Sequence, residues 1–425
     1  MTFSALNLDE LTAQRDRARR DYDALVQRGL SLDLTRGKPS AGQLDLASAM
    51  LTLPSGHTAA DGTDCRNYGG GQGLAELRAI FSGLLQVPAA QLVAANNSSL
   101  SLMHDTLVHA LLSGVPGGER RWVDEPRVAF LCPVPGYDRH FALAQRFGIE
   151  LIPVPMNDQG PDMDVVEDLV RQDAQIKGIW CVPKYSNPNG VSYADETVRR
   201  LAAMPTAASD FRIYWDNAYA VHHLTDTQVE IADILALCAE HGNPDRAFVF
   251  GSTSKITFAG GGVAFFGSSP ANVSWLLGHT GKRTIGPDKI NHLRHVEFLK
   301  DEAGVLDHMR RHRELIRPKF DTVDLILGKE LGGTGLATWS KPLGGYFISL
   351  DVLPGCARQV VSRAAEAGIA LTPAGATHPY GDDPADSTIR IAPTYPELPE
   401  VELAISGLAV CVRLVGTEKL LEQAR

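Results

Sequence analysis

Short apolar runs alternate with helical patterns from about residue 74 to residue 330, and this alternation constrains the fold more than any other feature. The runs are continuous, whereas a strand with one wet face would alternate apolar and polar residues, so both faces of each strand should be buried. Helices between the runs then predict an α/β fold, a mostly parallel sheet sandwiched by helices. The predicted strands are 128–132, 150–154, 177–182, 211–215, 247–250 and 263–266.

The two ends of the chain differ from this middle part. Apolar residues at helical spacing predict an amphipathic helix over residues 8–30. Toward the carboxyl end, helical segments frame shorter apolar runs, which indicates a smaller α+β domain. These shorter runs are 345–350, 369–372 and 388–392.

The same patterns predict two domains. The large domain should comprise residues 51–319. The small domain should combine residues 1–50, with their helix, and residues 320–425. We expect the boundary to fall in one long helix around residues 292–324.

Charge and composition exclude several classes of partner. The chain of 425 residues has a net charge of −10 and no long basic run, so neither nucleic acid nor an anionic membrane surface is expected to bind it. It contains no stretch of 18 apolar residues and no signal-peptide pattern, which favours the cytoplasm. Its six cysteines are scattered, which fits free thiols better than disulfides or a zinc site.

One lysine stands between two of the predicted strands. Lys255 follows the run 247–250 after small hydroxyl residues, and a glycine triplet separates it from the run 263–266. A lysine in such a place is costly unless it has a task. Burial lowers the pKa of an amine and so makes it a nucleophile. Lys255 is therefore a candidate catalytic residue, although a lysine pointing to water would also fit this segment taken alone.

Other predicted strands also end in polar residues. The ends of neighbouring parallel strands meet at one edge of the sheet, where ligands bind. This edge would gather Lys255, Asp216, Tyr219, Asn187 and Tyr137. Each has an ordinary alternative as a helix cap, a turn or a packing residue. Their combination is more informative than any one of them.

The combination resembles the class I, fold-type I pyridoxal-phosphate aminotransferases. Asn187-Pro-Asn-Gly190 matches the family's Asn-Pro-x-Gly, Asp216-Asn-Ala-Tyr219 matches Asp-x-Ala-Tyr, and Ser252-Thr-Ser-Lys255 matches Ser-x-Ser-Lys. The resemblance implies that residues 51–319 form the domain that binds pyridoxal 5′-phosphate.

Two further segments resemble one branch of that family. Asp33-Leu-Thr-Arg-Gly-Lys-Pro39 and Asn97-Ser-Ser-Leu-Ser-Leu102 are similar to the MocR-related branch that acts as aspartate aminotransferases. No winged-helix DNA-binding domain precedes these segments, so we expect the stand-alone enzyme rather than the regulator.

The resemblance implies roles around the cofactor ring. Lys255 would bind the cofactor aldehyde covalently and later carry a proton at the substrate Cα. Asp216 would pair with the pyridine nitrogen and keep it protonated. Asn187 and Tyr219 would both bond the phenolic oxygen.

The resemblance also implies supporting contacts. Tyr137 would stack on the ring, and His140 would support Asp216 from behind. The phosphate would lie at a helix start, where backbone N–H groups and the positive helix end attract anions. The serines implied there are Ser98, Ser99, Ser252 and Ser254.

Three more residues are implied in substrate binding and assembly. Arg390 would clamp the substrate α-carboxylate, to which a planar guanidinium is suited, and the backbone of Gly37 would touch the same group. Tyr68 would reach the phosphate of a partner subunit, which predicts a homodimer with shared active sites.

The chain departs from the family pattern in two places. The family's phosphate-binding arginine is replaced by Val263, so backbone amides of the glycine triplet, or Lys282 or Arg283, are the expected substitutes. The stretch 279–287 aligns only loosely with the segment that supplies the arginine for the substrate side chain. The residues expected to meet a distal carboxylate are Arg283, Lys282, Lys289 and Arg36.

The leading hypothesis is a ping-pong aminotransferase that moves an amino group from L-aspartate to 2-oxoglutarate. Alternatives in the same class are an aromatic or 2-aminoadipate aminotransferase or a PLP-dependent lyase. A non-catalytic PLP-binding effector module is a second class. A nucleotide-binding α/β protein is a third, which segment 67–73 does not support because it lacks the Gly-x-Gly-x-x-Gly order.

Overall fold

A computed structural model describes residues 2–424. Within this range, strands and helices alternate through the middle of the chain, and helices dominate both ends. The strands are β1 Leu32–Asp33, β2 Leu92–Ala94, β3 Ala129–Val134, β4 Glu150–Asn157, β5 Gly160–Pro161, β6 Ile176–Cys181, β7 Arg212–Asp216, β8 Ala247–Ser252, β9 Ala264–Gly267, β10 Ala337–Trp339, β11 Ile348–Val352, β12 Ile369–Ala370 and β13 Thr388–Ile391.

The helices begin mostly at short polar residues that cap them. For example, Asn7 and Glu10 form a capping box at the first helix. The helices are α1 Leu8–Gln27, α2 Ala41–Asp45, α3 Ala75–Leu85, α4 Ser99–Ser113, α5 Asp138–Arg146, α6 Met163–Gln172, α7 Asp195–Ala203, α8 Ile234–Glu240, α9 Pro270–Arg283, α10 Lys289–Leu299, α11 Glu302–Leu331, α12 Ala357–Glu366 and α13 Leu398–Gln423.

The main sheet has eight strands in the order β2-β9-β8-β7-β6-β3-β4-β5. Its centre, from β4 through β3, β6 and β7 to β8, is parallel. β9 instead runs antiparallel to β8, because the short connection between them leaves no room for a crossover helix. The six strands predicted from apolar runs all lie in this sheet, and the predicted α/β fold is confirmed.

Both faces of the main sheet are buried. Along β3, Ala129 and Leu131 pack into a core with α3, α6, α7 and α8, while Phe130 and Cys132 pack into a second core with α4, α5 and α9. Continuous apolar runs arise from this arrangement, because neither side of the strand meets water. The carboxyl ends of β6, β7 and β8 therefore sit at one edge of a rigid, doubly covered layer.

The two ends of the chain pack together in a third core. β1 pairs in parallel with β12, and α1 packs along α13, where Arg413 contacts Asp21 at 3.1 Å. A three-stranded antiparallel sheet, β10-β11-β13, lies in the same region. The segment before residue 50 is thus part of the same layer as the carboxyl-terminal residues.

The single long helix expected around residues 292–324 is two helices. α10 ends at Leu299, Lys300 adopts a left-handed φ of 69°, and Asp301 accepts a hydrogen bond from Gly304 to begin α11. The apolar pattern runs through both helices, so periodicity alone could not reveal the break.

All six cysteines are buried and free in the structure. Among the helices of residues 2–424, none is both long enough and apolar enough to cross a membrane.

Candidate active site

One cleft of about 560 Å³ opens at the carboxyl ends of β6, β7 and β8. The amino-terminal ends of α4 and α5 and the strand β13 close its sides. Eleven of the residues predicted for the site line it. They are Gly37, Ser98, Ser99, Tyr137, Asn187, Asp216, Tyr219, Ser252, Ser254, Lys255 and Arg390.

Lys255 stands just after β8 and faces the cleft. Burial lowers the pKa of its amine, and the charge of Asp216 opposes this shift in part. Its Nζ lies 5.1 Å from the centre of the Tyr219 ring and 5.8 Å from that of Tyr346. The amine is therefore easier to deprotonate than an exposed lysine, as a nucleophile or base requires.

Asp216 is the last residue of β7 and is buried. Its Oδ2 lies 3.0 Å from His140 Nε2, and the His140 ring stacks on Trp180 with ring centres 4.5 Å apart. Its Oδ1 is buried and has no hydrogen-bond partner among residues 2–424. A buried carboxylate oxygen without a donor is costly, so this atom is suited to a ligand that donates a hydrogen bond, such as a protonated pyridine nitrogen.

Two tyrosines flank the carboxylate. Burial raises the pKa of Tyr137 to about 12 and the pKa of Tyr219 well above 10. Both phenols thus stay protonated at neutral pH and can donate hydrogen bonds into the cleft. The Tyr137 ring also meets the edge of His140, with ring centres 4.8 Å apart, so it helps to fix the partner of Asp216.

Arg390, on β13, is buried and lines the same cleft. Its Nη1 lies 2.7 Å from Asp138 Oδ1 and 3.4 Å from Asn187 Oδ1, and Nη2 lies 3.3 Å from Thr372 Oγ1. The guanidinium lies over the ring of Phe347 at 5.1 Å. It is held in place and presents a planar fork that matches a carboxylate.

Gly37 borders the same arginine through Phe347. A Cβ at position 37 would lie 2.2 Å from the tip of the Phe347 ring. The chain therefore approaches that ring more closely than any residue with a side chain would allow. Gly37 lets the backbone reach the wall of the cleft, and its contact with a substrate carboxylate stays a prediction.

The four serines form the other end of the cleft. Ser98 and Ser99 lie at the start of α4, where N–H groups without helical partners and the positive helix end attract anions. Ser252 and Ser254 face them from the end of β8. This end of the cleft suits a phosphate.

Val263, directly after the glycine triplet, stands at the position of the family's phosphate arginine and is engaged within its own loop. The Val263 N–H donates to Thr253 Oγ1 at 2.9 Å, its C=O accepts from the Thr253 N–H, and its side chain is buried. These hydrogen bonds close the loop that carries Lys255. The three glycines before Val263 do not line the cleft, and the use of their amides for a phosphate stays a prediction. Neither Lys282 nor Arg283 lines the cleft.

The four basic residues expected near a distal carboxylate are placed differently. Arg36 lines the cleft. Lys289 is buried, and its Nζ donates to the carbonyls of Asn67 and Gly69, 2.7 Å from each, so the expectation for Lys289 is wrong. Arg283 is exposed and pairs with Asp105 at 2.9 Å. Its role toward a partner subunit stays a prediction.

Tyr68 lies outside the cleft of its own chain. Its side chain is 80% exposed, on the loop that Lys289 holds. A single exposed aromatic residue is ordinary on a protein surface, so the exposure of Tyr68 leaves its ring available without identifying a partner. The predicted reach to a partner subunit stays a prediction.

Three charged residues of the cleft lining were missed from the sequence, and one of them, Lys38, directly follows Gly37. Asp138 and Arg139 both line the cleft from the first turn of α5. The available signal was their position directly after Tyr137, at the end of a parallel strand, where side chains of the following helix turn face the site.

The comparisons with known proteins agree with this geometry. The family model described as aspartate amino-transferase matches residues 6–424. The aspartate aminotransferase of Corynebacterium glutamicum is 48% identical over 423 residues, which cover 98% of each chain.

Solved structures give the same result. The crystal structure of an aspartate transaminase from C. glutamicum superposes with a TM-score of 0.97 at 47% identity and covers 99% of both chains. The α-aminoadipate aminotransferase of Thermus thermophilus, solved with N-(5′-phosphopyridoxyl)-L-leucine, has a TM-score of 0.73 at 20% identity, and covers 94% of this chain and 95% of its own. At that identity only the fold is compared. The fold is that of the fold-type I aminotransferases, as predicted.

Proposed function

The chain belongs to the aspartate aminotransferase family, and from that premise we propose that it moves an amino group from L-aspartate to 2-oxoglutarate with pyridoxal 5′-phosphate as cofactor. One observation carries the proposal. Lys255, with its lowered pKa, and the unpartnered Oδ1 of Asp216 face the same cleft. The first supplies an amine for an aldehyde, and the second an acceptor for a ring nitrogen.

The cofactor, when bound, supplies an aldehyde and a ring that accepts electrons from the substrate Cα. Lys255 is the residue that would hold this aldehyde through its Nζ. As a free amine, Lys255 would be the base that moves the proton at the substrate Cα, a positioned transfer worth ~10²–10⁴ in rate.

The remaining floor of the cleft holds the ring. Asp216 would accept a hydrogen bond from the ring nitrogen, and His140 and Trp180 fix its carboxylate. Tyr219 would donate to the phenolic oxygen. Asn187 turns its amide oxygen to Arg390, at 3.4 Å, which leaves the amide nitrogen as a second donor. The serine cup binds the phosphate.

Arg390 binds the α-carboxylate of the substrate, assisted by the backbone of Gly37. The same contacts serve the amino acid and the 2-oxo acid, as a ping-pong exchange requires. Arg36 and Arg139 add positive charge to the cleft lining, which favours a dicarboxylic over an aromatic side chain. This charge ranks aspartate and glutamate above the aromatic alternative.

We place the enzyme in the cytoplasm as a homodimer with shared sites. The exposed Tyr68 supports this assembly, since its ring has no apolar cover within its own chain and would meet the phosphate of the partner subunit. Arg283, exposed on α9, would likewise serve the partner's substrate. We assign the chain to the MocR-related branch on the segments 33–39 and 97–102.

We divide the chain into a large cofactor-binding domain, residues 51–319, and a small domain formed by residues 1–50 and 320–425. The pairing of β1 with β12 and the shared core of α1 and α13 support this division. Arg390 belongs to the small domain and Lys255 to the large one. Movement between them would open and close the cleft.

The test is a panel of half-reactions with the purified, cofactor-loaded protein. Aspartate and glutamate should each remove the visible absorbance of the bound cofactor, whereas phenylalanine and 2-aminoadipate should act more slowly. Borohydride reduction followed by peptide mass spectrometry should find the adduct on Lys255. An adduct on another lysine, or conversion by phenylalanine and not by aspartate, would contradict the proposal.

A further inference from the structure

The guanidinium that should bind the substrate already has a carboxylate partner within its own chain. Asp138 Oδ1 lies 2.7 Å from Arg390 Nη1, and the other polar contacts of this guanidinium, to Thr372 and Asn187, are longer, at 3.3 and 3.4 Å. In the part of the chain that the structure describes, Asp138 is the acidic residue that forms an ion pair with Arg390.

We propose that Asp138 is a displaceable counter-ion: it holds Arg390 in the open cleft and gives way when the substrate α-carboxylate binds. The inference rests on the proposed function, because that function makes Arg390 the carboxylate site. It adds a competition within the chain that sets the apparent affinity for every substrate of the enzyme.

The first step of the argument is the burial of the arginine. The Arg390 side chain is only 7% exposed, and a buried cation without an opposite charge is strongly unfavourable. A substrate carboxylate supplies that charge only while it is bound. Asp138 supplies it otherwise, and so keeps the guanidinium oriented between turnovers.

The second step is that Asp138 can leave. Its side chain is 31% exposed, so water can solvate it once it turns away from Arg390. It is also the first residue of α5, where the positive end of a nine-residue helix favours a carboxylate in either position. Releasing this side chain therefore leaves no buried charge behind.

The third step is that the two carboxylates compete. A guanidinium forms its strongest pair with one carboxylate through two parallel N–H groups, and Asp138 holds the terminal nitrogen Nη1. Two carboxylates brought to one side of the same group also repel each other. A partly exposed ion pair occupied most of the time lowers apparent substrate affinity by about 3- to 10-fold.

The experiment compares Asp138→Asn with wild type as cofactor-loaded enzymes. The probe is maleate, a dicarboxylate with no amino group to transfer, titrated by calorimetry. Loss of the competing charge should tighten maleate binding by about 3- to 10-fold, and the KM for aspartate should fall with it. Asp138→Ser, which is smaller and also neutral, should behave alike and serves if the first variant folds poorly.

The matched control is Asp124→Asn, which removes the same charge from an exposed pair with Arg121, 2.7 Å long and outside the cleft. It should leave maleate affinity at the wild-type value. Unchanged or weaker maleate binding in both Asp138 variants overturns the inference, because a residue that only orients Arg390 would weaken binding when lost. A failure of the proposed function would be visible separately, because aspartate would then not convert the cofactor bound to the wild-type enzyme.

Discussion

The floor of the cleft and its rim are built in different ways. The floor, formed by Lys255, Asp216 and Tyr219, lies at the carboxyl ends of buried strands, and its groups are fixed by neighbours from one chain. The rim, formed by Arg36, Asp138 and Arg139 and, in the proposed homodimer, by Tyr68 from the partner subunit, consists of side chains that are partly or largely exposed in one chain. The floor thus holds the groups that take part in the reaction, and the rim holds exposed groups that meet ligands as they enter and leave. Substitutions in the floor should therefore reduce turnover, and those in the rim should change affinity.

The largest effect is expected for Lys255→Met. Loss of the amine that moves the substrate proton should lower kcat by about 10²–10⁴-fold, and borohydride should no longer trap the cofactor on the chain. Lys184→Met is the matched control. Lys184 is buried and its pKa is lowered to about 8, but its Nζ donates to the Ala220 carbonyl at 2.8 Å, outside the cleft. Equal losses of kcat in the two variants would show that Lys255 has no catalytic role of its own.

The second largest effect on turnover is expected for Asp216→Asn. The substitution keeps the shape and removes the charge that holds the ring nitrogen protonated, so kcat should fall by about 10²–10³-fold while the KM for aspartate changes little. The measurement is steady-state kinetics together with cofactor affinity. If kcat stays within a factor of a few of wild type, the carboxylate has only a structural role.

Arg390→Lys tests the carboxylate site, which lies between the floor and the rim. Lysine keeps the charge but cannot form the two parallel hydrogen bonds, so kcat/KM for aspartate should fall by about 10- to 100-fold, mainly through KM. Spectra of the bound cofactor should stay as in wild type. A spectrum that changes together with KM would place Arg390 nearer the ring than proposed.

Tyr68→Phe should have a smaller effect at the rim. Loss of one hydroxyl to the phosphate should weaken cofactor binding by about 5-fold without changing the fold. The deciding measurement mixes an excess of inactive Lys255→Met subunits with Tyr68→Phe subunits. If tyrosine acts across the interface, the mixed dimers regain wild-type cofactor affinity at the intact Lys255 site, and a failure to regain it would place Tyr68 in its own site.

The last prediction concerns stability and pH in the cofactor-free protein. A lysine whose pKa is lowered by folding binds fewer protons folded than unfolded, so stability rises with pH between the folded pKa and the unfolded value of 10.5. The substitution Lys255→Met removes this amine, so it should raise the free energy of unfolding at pH 7. The increase should become smaller as the pH approaches 10.5. For Lys184→Met, the stabilisation relative to wild type should decrease in the same way, between about pH 8 and pH 10.5. Denaturant unfolding at several pH values measures both, and a gain independent of pH would refute the assignment.

Much of the fold and of the floor could be predicted because both depend on local patterns. Burial on two faces forces continuous apolar runs, and the polar residue that ends each run must lie at the same sheet edge as its neighbours. The sequence therefore predicts Asp216, Asn187 and Lys255 as residues of the site. The antiparallel direction of β9 could not be predicted, because an apolar run does not indicate which way its strand runs in the sheet.

Several contacts around the cleft could not be predicted, because they join segments that are distant in the sequence. Lys289 meets the carbonyls of Asn67 and Gly69, more than two hundred residues away in sequence, and no local pattern announces such a pair. The ion pair of Asp138 with Arg390 spans a similar distance. The hydrogen bond that occupies the Val263 amide depends on the side chain of Thr253, ten residues earlier, and could be seen only in the folded loop.

The unpartnered oxygen of Asp216 also has a consequence for the life of the protein in the cell. A chain that folds before it meets its cofactor lacks the hydrogen bond that the ring nitrogen would donate to this oxygen. A ligand that binds only the folded chain adds stability in proportion to the logarithm of its concentration. The amount of intact enzyme would then follow the supply of the vitamin from which the cofactor is made, because a starved chain unfolds and is degraded more often.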